Sequence, residues 1–103
     1  MLTSVSNIYA IGDITGKYEL AHVASRQGEV VAHNIMKCDS EMDYSAIPFC
    51  VFTFPEVSFV GDCSGKSGEF PLRANANANC LGDTRGFLKV FEKNGTCVGI
   101  IIV

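Results

Sequence analysis

Asp13 follows Gly12 at the end of an apolar stretch, and a helix-like segment begins seven residues later, at Leu20. A carboxylate held there can accept hydrogen bonds from ligand hydroxyls. A helix start presents unpaired backbone N–H groups and a partial positive charge. Gly12-Asp13 and the helix start near Leu20 therefore hint at a site for a polar, partly anionic ligand. From these residues alone the simpler reading is that Asp13 caps a turn. His22, in the first helical turn, has no carboxylate or nucleophile at partner spacing, which favours a structural or ligand-packing imidazole over a catalytic one. His33 reads as a solvated helix residue.

Other candidate chemistry is weaker. Gly65-Lys66-Ser67-Gly68 has Gly61 upstream, but Gly61 to Lys66 gives G-x-x-x-G-K, one residue short of a phosphate-binding loop. Gly82 to Gly86 (GDTRG) has no such spacing either, and no G-x-G-x-x-G dinucleotide fingerprint occurs. The five cysteines, at 38, 50, 63, 80 and 97, form no C-x-x-C pair and no metal-ligand spacing. They read as reduced, buried small side chains, as in a cytoplasmic protein or, in a eukaryote, one of the mitochondrial matrix.

The site must be carried by a small domain. The chain has 103 residues, 48% hydrophobic and 18% charged, with mean hydropathy +0.23. That is apolar for its length, so some apolar surface is expected to be covered by something outside the chain. A net charge of -3 argues against nucleic acid or an anionic membrane as partner. No leader-like segment or apolar run of membrane-spanning length is visible.

Asn7 to Ile11 reads as a short strand and Leu20 to Met36 as the clearest helix, its apolar stripe interrupted by Gln27. Gly28 inside that helix costs ~1 kcal/mol relative to Ala, either simply tolerated or allowing a close approach. Phe49 to Phe54 and Val57 to Gly61 read as strands, and Asp62 to Gly68 as a loop. Phe70 to Leu72 suits an edge strand, because Pro71 cannot donate to a ladder. The alternation over Arg73 to Leu81 leaves the assignment open; it would place alanines on one sheet face and asparagines on the other. Asn94-Gly95 between Phe87–Glu92 and Thr96–Val103 is a type I′ hairpin signal. The apolar ending at Val103 is expected to lie inside a domain, and as an unpaired edge it would invite aggregation.

Taken in order, SVSNIYAIGD, ELAHVASRQGEVVAHNI, MDYSAIPFCVFTFPEVSFVG, FPLRANANANCLGDTRGFLKV and the Asn-Gly hairpin resemble the dihydrolipoamide dehydrogenases, within the FAD-dependent pyridine nucleotide–disulfide oxidoreductases. The resemblance covers nearly the whole chain. It implies an α+β fold: a short FAD-domain strand plus helix over residues 1–46, then a partial antiparallel-sheet interface (dimerisation) domain over 47–103. It implies that Asp13, after Gly12, accepts from the ribityl chain of FAD. Backbone N–H groups of Leu20, Ala21 and His22 would face the flavin pyrimidine edge. It further implies NAD as the second cofactor, a homodimer, and a lipoyl-bearing acyltransferase complex as partner of the parent enzyme.

The resemblance also implies what a whole family member carries beyond these residues: a G-x-G-x-x-G segment, a redox-active cysteine pair, an NAD domain and a C-terminal His–Glu pair. The chain alone is thus expected to be inactive and to hold FAD poorly. Two departures stand out: DCSGKSGE replaces a helix and longer loop before Phe70, and Asn77 stands where the family commonly has Arg. A stand-alone dimerisation or assembly module without catalysis is the alternative. A sibling flavoenzyme reducing glutathione or mercuric ion fits the FTFPEVSFVG wording less well.

Overall fold

Helix α1 (Ala21–Ile35) forms within one residue, at either end, of the stretch predicted by apolar spacing. It belongs to the first of two units, Met1–Asp43 and Tyr44–Val103, in a computed structural model describing residues 1–103. Val23, Gln27 and Val30, at i, i+4 and i+7, are its buried side chains. The helix ends in a Schellman arrangement. The Cys38 N–H donates to His33 O (2.9 Å) and the Lys37 N–H to Asn34 O (3.0 Å), with Lys37 left-handed at φ 62°. Asn34 then clasps Ser40 through both its amide groups (2.9 and 3.0 Å) and closes the segment. Arg26 and Glu29 pair at 2.6 Å on the helix, with both side chains well exposed. Such pairs contribute little.

The segment before the helix differs from expectation. Asn7 to Ile11 is not a strand but makes an isolated antiparallel bridge, Leu2 with Tyr9. The N–H groups of Thr3 and Ala10 donate to Ile8 O and Met1 O, each at 2.9 Å. A strand needs a paired neighbour along its length, and here the only pairing is this two-residue contact. Gly12–Thr15 then forms one turn of 3₁₀ helix, ended by Gly16 at φ 63°.

The second unit is a five-stranded antiparallel sheet: β1 (Phe49–Val51), β2 (Val57–Gly61), β3 (Lys66–Pro71), β4 (Phe87–Lys93) and β5 (Thr96–Ile102). Its order is β1-β2-β5-β4-β3. The fold is α+β, as expected. Asn94 (φ 55°) and Gly95 (φ 79°) both lie left-handed, as a type I′ turn requires. Phe49 and Phe59, directly paired across β1 and β2, stack with centroids 4.8 Å apart.

Two expectations change and one open segment is assigned. β1 stops at Val51, short of Phe54; beyond it the Thr53 hydroxyl donates to Pro55 O at 2.8 Å, a turn rather than a ladder. β3 begins at Lys66 within the expected loop and runs only to Pro71, confirming an edge position for Pro71 but pairing Lys66 to Gly68 as well. Residues 76–81, whose assignment the alternation left open, form helix α2 (Ala76–Leu81). Asn75 caps it, its Oδ1 accepting from the N–H groups of Asn77 (2.8 Å) and Ala78 (3.2 Å). This capping replaces the ladder that the alternation suggested.

β5 is not an unpaired edge. It lies at the sheet centre between β2 and β4. Its approach to the end of β2 depends on two glycines. A Cβ on Gly61 would lie 2.2 Å from Val98 O, and one on Gly99 would lie 2.3 Å from Asp62 O. Phe91 of β4, paired with Gly99, is the buried apolar side chain of this unit. Large apolar side chains remain in solvent in both units, Ile14 in the first and Phe52 and Phe54 in the second, each more than 80% exposed.

Candidate functional site

The Gly12-Asp13 turn is fixed from three directions within the first unit. The Gly12 N–H donates to Oε1 of Gln27 at 2.6 Å, a buried bond spanning 15 residues. The Gly12 carbonyl accepts from the Thr15 hydroxyl at 2.8 Å. Gly12 itself is buried at φ 72°, and a Cβ there would lie 3.3 Å from the Ala24 Cβ of α1. Glycine thus allows both the backbone conformation and the close approach to the helix.

Asp13 projects from this turn as an exposed residue, and its carboxylate makes no hydrogen bond or ion pair within the chain. The turn-cap reading of Asp13 is therefore incorrect: its side chain caps nothing, and only its backbone carbonyl is used, by the Gly16 N–H at 2.9 Å. Leu20 is the N-cap of α1 with extended backbone (φ -135°, ψ 126°) and no side-chain cap. Its carbonyl accepts the first helical bond, from Ala24 at 3.0 Å. The first-turn N–H groups of α1 thus have no capping side chain. Ala21 and His22 are exposed in that turn, while Val23 is buried and anchors it. No carboxylate pairs with His22, so nothing in the unit equips it for acid–base catalysis.

Gln27 is the residue that sequence reading missed. It appeared as an interruption of an apolar stripe, yet it is fully buried and joins α1 to the Asp13 turn. The available signal was its position: a polar side chain four after Val23 and three before Val30 must find a partner inside. Gly28 faces no backbone closely; a Cβ there would make an ordinary contact with Ile11 Cδ1 at 3.6 Å.

The second unit offers no catalytic cluster. Its cysteines are free, with Cys50, Cys80 and Cys97 exposed and Cys63 half-buried; Cys38 of the first unit is also free and exposed. The expectation of buried cysteines is thus incorrect. A depression of about 510 Å³ is bordered by Phe54, Glu56, Leu72, Asp83, Arg85 and Ile102. Arg85 lies 3.6 Å from Asp83 and 5.2 Å above the Phe54 ring. The one cation of the GDTRG loop is thus engaged by a carboxylate and an aromatic face. No helix is long and apolar enough to cross a membrane.

No family model matches the chain. Curated relatives do. The chain is 47% identical to the dihydrolipoyl dehydrogenase of Chlamydia trachomatis over 93% of its length and 23% of that protein's. Identity is 50% to the Chlamydia muridarum dihydrolipoyl dehydrogenase (89% and 22%) and 42% to that of Geobacillus stearothermophilus (98% and 24%). The Geobacillus alignment runs over 112 positions against 103 residues here, so at least nine positions have no counterpart in this chain. Among solved structures, LpdA from Mycobacterium tuberculosis superposes with a TM-score of 0.85 at 30% identity, covering 98% of this chain and 25% of that one. The HOCl-induced flavoprotein disulfide reductase RclA from Escherichia coli gives 0.80 at 25%, covering 96% and 26%. The chain spans about a quarter of the length of the curated relatives it matches. By sequence and by fold, the chain is similar to a quarter-length segment of the dihydrolipoyl dehydrogenases and of the flavoprotein disulfide reductases.

Proposed function

We propose that this chain supplies part of the FAD site and part of the dimer interface of an enzyme that oxidises dihydrolipoyl groups with FAD and NAD. The observation carrying this reading is the free Asp13 carboxylate on a turn clamped to α1, whose N-terminus has no side-chain cap. These groups suit FAD: an exposed acceptor meets ribityl hydroxyls, and uncapped N–H groups meet a carbonyl edge that gains electron density. Bound FAD would supply the two-electron redox chemistry between a dithiol and NAD.

Each residue then has a bounded task. Asp13 accepts hydrogen bonds and orients the ribityl chain. The N–H groups of Leu20, Ala21 and His22 face the pyrimidine edge and favour negative charge there. Val23 and Val30 hold the helix in place by burial. None of these groups moves a proton, and the five cysteines are free with no C-x-x-C spacing among them. The chain alone is therefore inactive and holds FAD weakly.

Residues 1–46 form the FAD-domain part and 47–103 the interface part. The exposed apolar side chains of the sheet unit support a homodimer interface in the parent enzyme, which serves a lipoyl-bearing acyltransferase complex. The alternative, an assembly module without catalysis, rests on the same exposed surface. A flavin absorbance titration separates them. Weak FAD binding that weakens further in Asp13→Asn supports the flavin-site reading. Flavin held stoichiometrically through purification overturns the incomplete site, and no response at millimolar FAD favours the assembly module.

A further inference from the structure

The bond between Gln27 and Gly12 has a specific consequence for Asp13. A buried amide in an apolar stripe is retained only where its polar atoms are satisfied. Here its Oε1 accepts the one N–H that immediately precedes Asp13 in the turn. Thr15 holds the carbonyl of the same glycine, so the Gly12 residue is bonded at both its N–H and its C=O. The Asp13 side chain has no contact of its own to fix it, so its place relative to the first turn of α1 depends on Gly12. An apolar residue at 27 would fill the space and leave the buried Gly12 N–H without an acceptor. The turn would then be free to lift from α1.

We propose that Gln27 is a positioning residue for the flavin: acting through Gly12, it holds the Asp13 carboxylate in register with the uncapped start of α1. This rests on the reading that Asp13 and the α1 N-terminus contact FAD. Gln27 never touches the cofactor. Its amide oxygen supplies the acceptor for the Gly12 N–H.

The test uses the ¹⁵N-labelled 103-residue chain, with amide exchange and FAD-induced amide shifts as readouts. In the wild type the Gly12 amide is protected, and FAD moves the signals of Asp13, Ala21 and His22. Gln27→Met, similar in size but without the acceptor, is expected to speed Gly12 exchange about tenfold or more. It should also weaken the Asp13 response to FAD, while Val30 stays protected and the Ala21 and His22 responses persist. Gln27→Glu keeps an accepting oxygen in either protonation state and should restore both. An unchanged Asp13 response in Gln27→Met, with Gly12 freed, overturns the inference and leaves the flavin site standing. FAD that moves none of these amides in the wild type overturns both. Should Gln27→Met fail to fold, the wild-type Gly12 amide and Gln27→Glu decide: exchange at the rate of an unstructured peptide, or loss of the Asp13 response in Gln27→Glu, overturns the inference.

Discussion

The Lys93 ammonium lies 2.5 Å from the Asp62 carboxylate and ties the exit of β2 to the end of β4, across the first residues of β5. The Lys93 hydrogen bond, with further bonds from the Ser64 hydroxyl and N–H, lowers the Asp62 pKa from 3.8 to about 2. A depressed carboxylate pKa stabilises the fold above its unfolded value, and that contribution is lost as pH falls toward the folded value. The Asp62 contribution is therefore full above pH 3.8 and disappears as pH falls through about 2. Carboxyl-carbon NMR should show Asp62 titrating at about 2, and Lys93→Met should move the midpoint up toward 3.8. An unmoved midpoint would assign the shift to Ser64 alone.

Gly99→Ala would drive a Cβ to 2.3 Å from the Asp62 carbonyl, where backbone rather than a flexible side chain is the obstacle. The cost should be about 1–3 kcal/mol, by analogy with overpacked cores. Urea unfolding should show a lower midpoint, whereas Gly68→Ala, with open space around its Cβ position, should differ by much less.

Lys37 occupies the left-handed position that glycine usually fills in a Schellman motif. Lys37→Gly removes a left-handed strain of ~1–2 kcal/mol, offset by the extra backbone entropy that glycine loses on folding. The net expectation is a gain of up to ~1 kcal/mol, seen as a raised melting temperature for α1 helicity. A lower melting temperature would mean that the lysine side chain stabilises the turn.

Asp13→Asn should leave the fold intact, because the carboxylate contacts nothing within the chain. Its unfolding free energy should stay within about 0.5 kcal/mol of the wild type. FAD affinity should fall about tenfold or more, the scale of a lost hydrogen bond to a charged group. Equal affinity in a flavin fluorescence titration would remove Asp13 from the proposed site.

Much of this fold was legible wherever local chemistry and long-range pairing agree. The helix stripe from Val23 to Val30 and the Asn94-Gly95 hairpin are both of this kind. Elsewhere the outcome depends on a partner that spacing does not reveal. Lys66 to Gly68 have little strand character and become strand because β4 pairs with them. Residues 76–81 alternate like a strand and become helix through one capping asparagine. In the site, Gly12-Asp13 and the helix start were visible as types at a spacing. Gln27 was not, because its partner lies 15 residues away and its polarity looked like a flaw in the stripe.

The sheet order carries a consequence for how the chain assembles. β5 comes after the other four strands in sequence, yet it joins β2 to β4. Until it is in place, β1–β2 and β3–β4 are separate pairs with bare inner edges. β4 gains β5 through a local hairpin, so β3-β4-β5 can form as a meander, while β2 must close a loop of some forty residues to reach Ile100. Non-local closure of this kind is slow relative to hairpin formation. During synthesis the β1–β2 pair, with Phe52 and Phe54 exposed in its connecting turn, would wait with an open edge. Until β5 docks, the inner edges of both strand pairs remain unpaired.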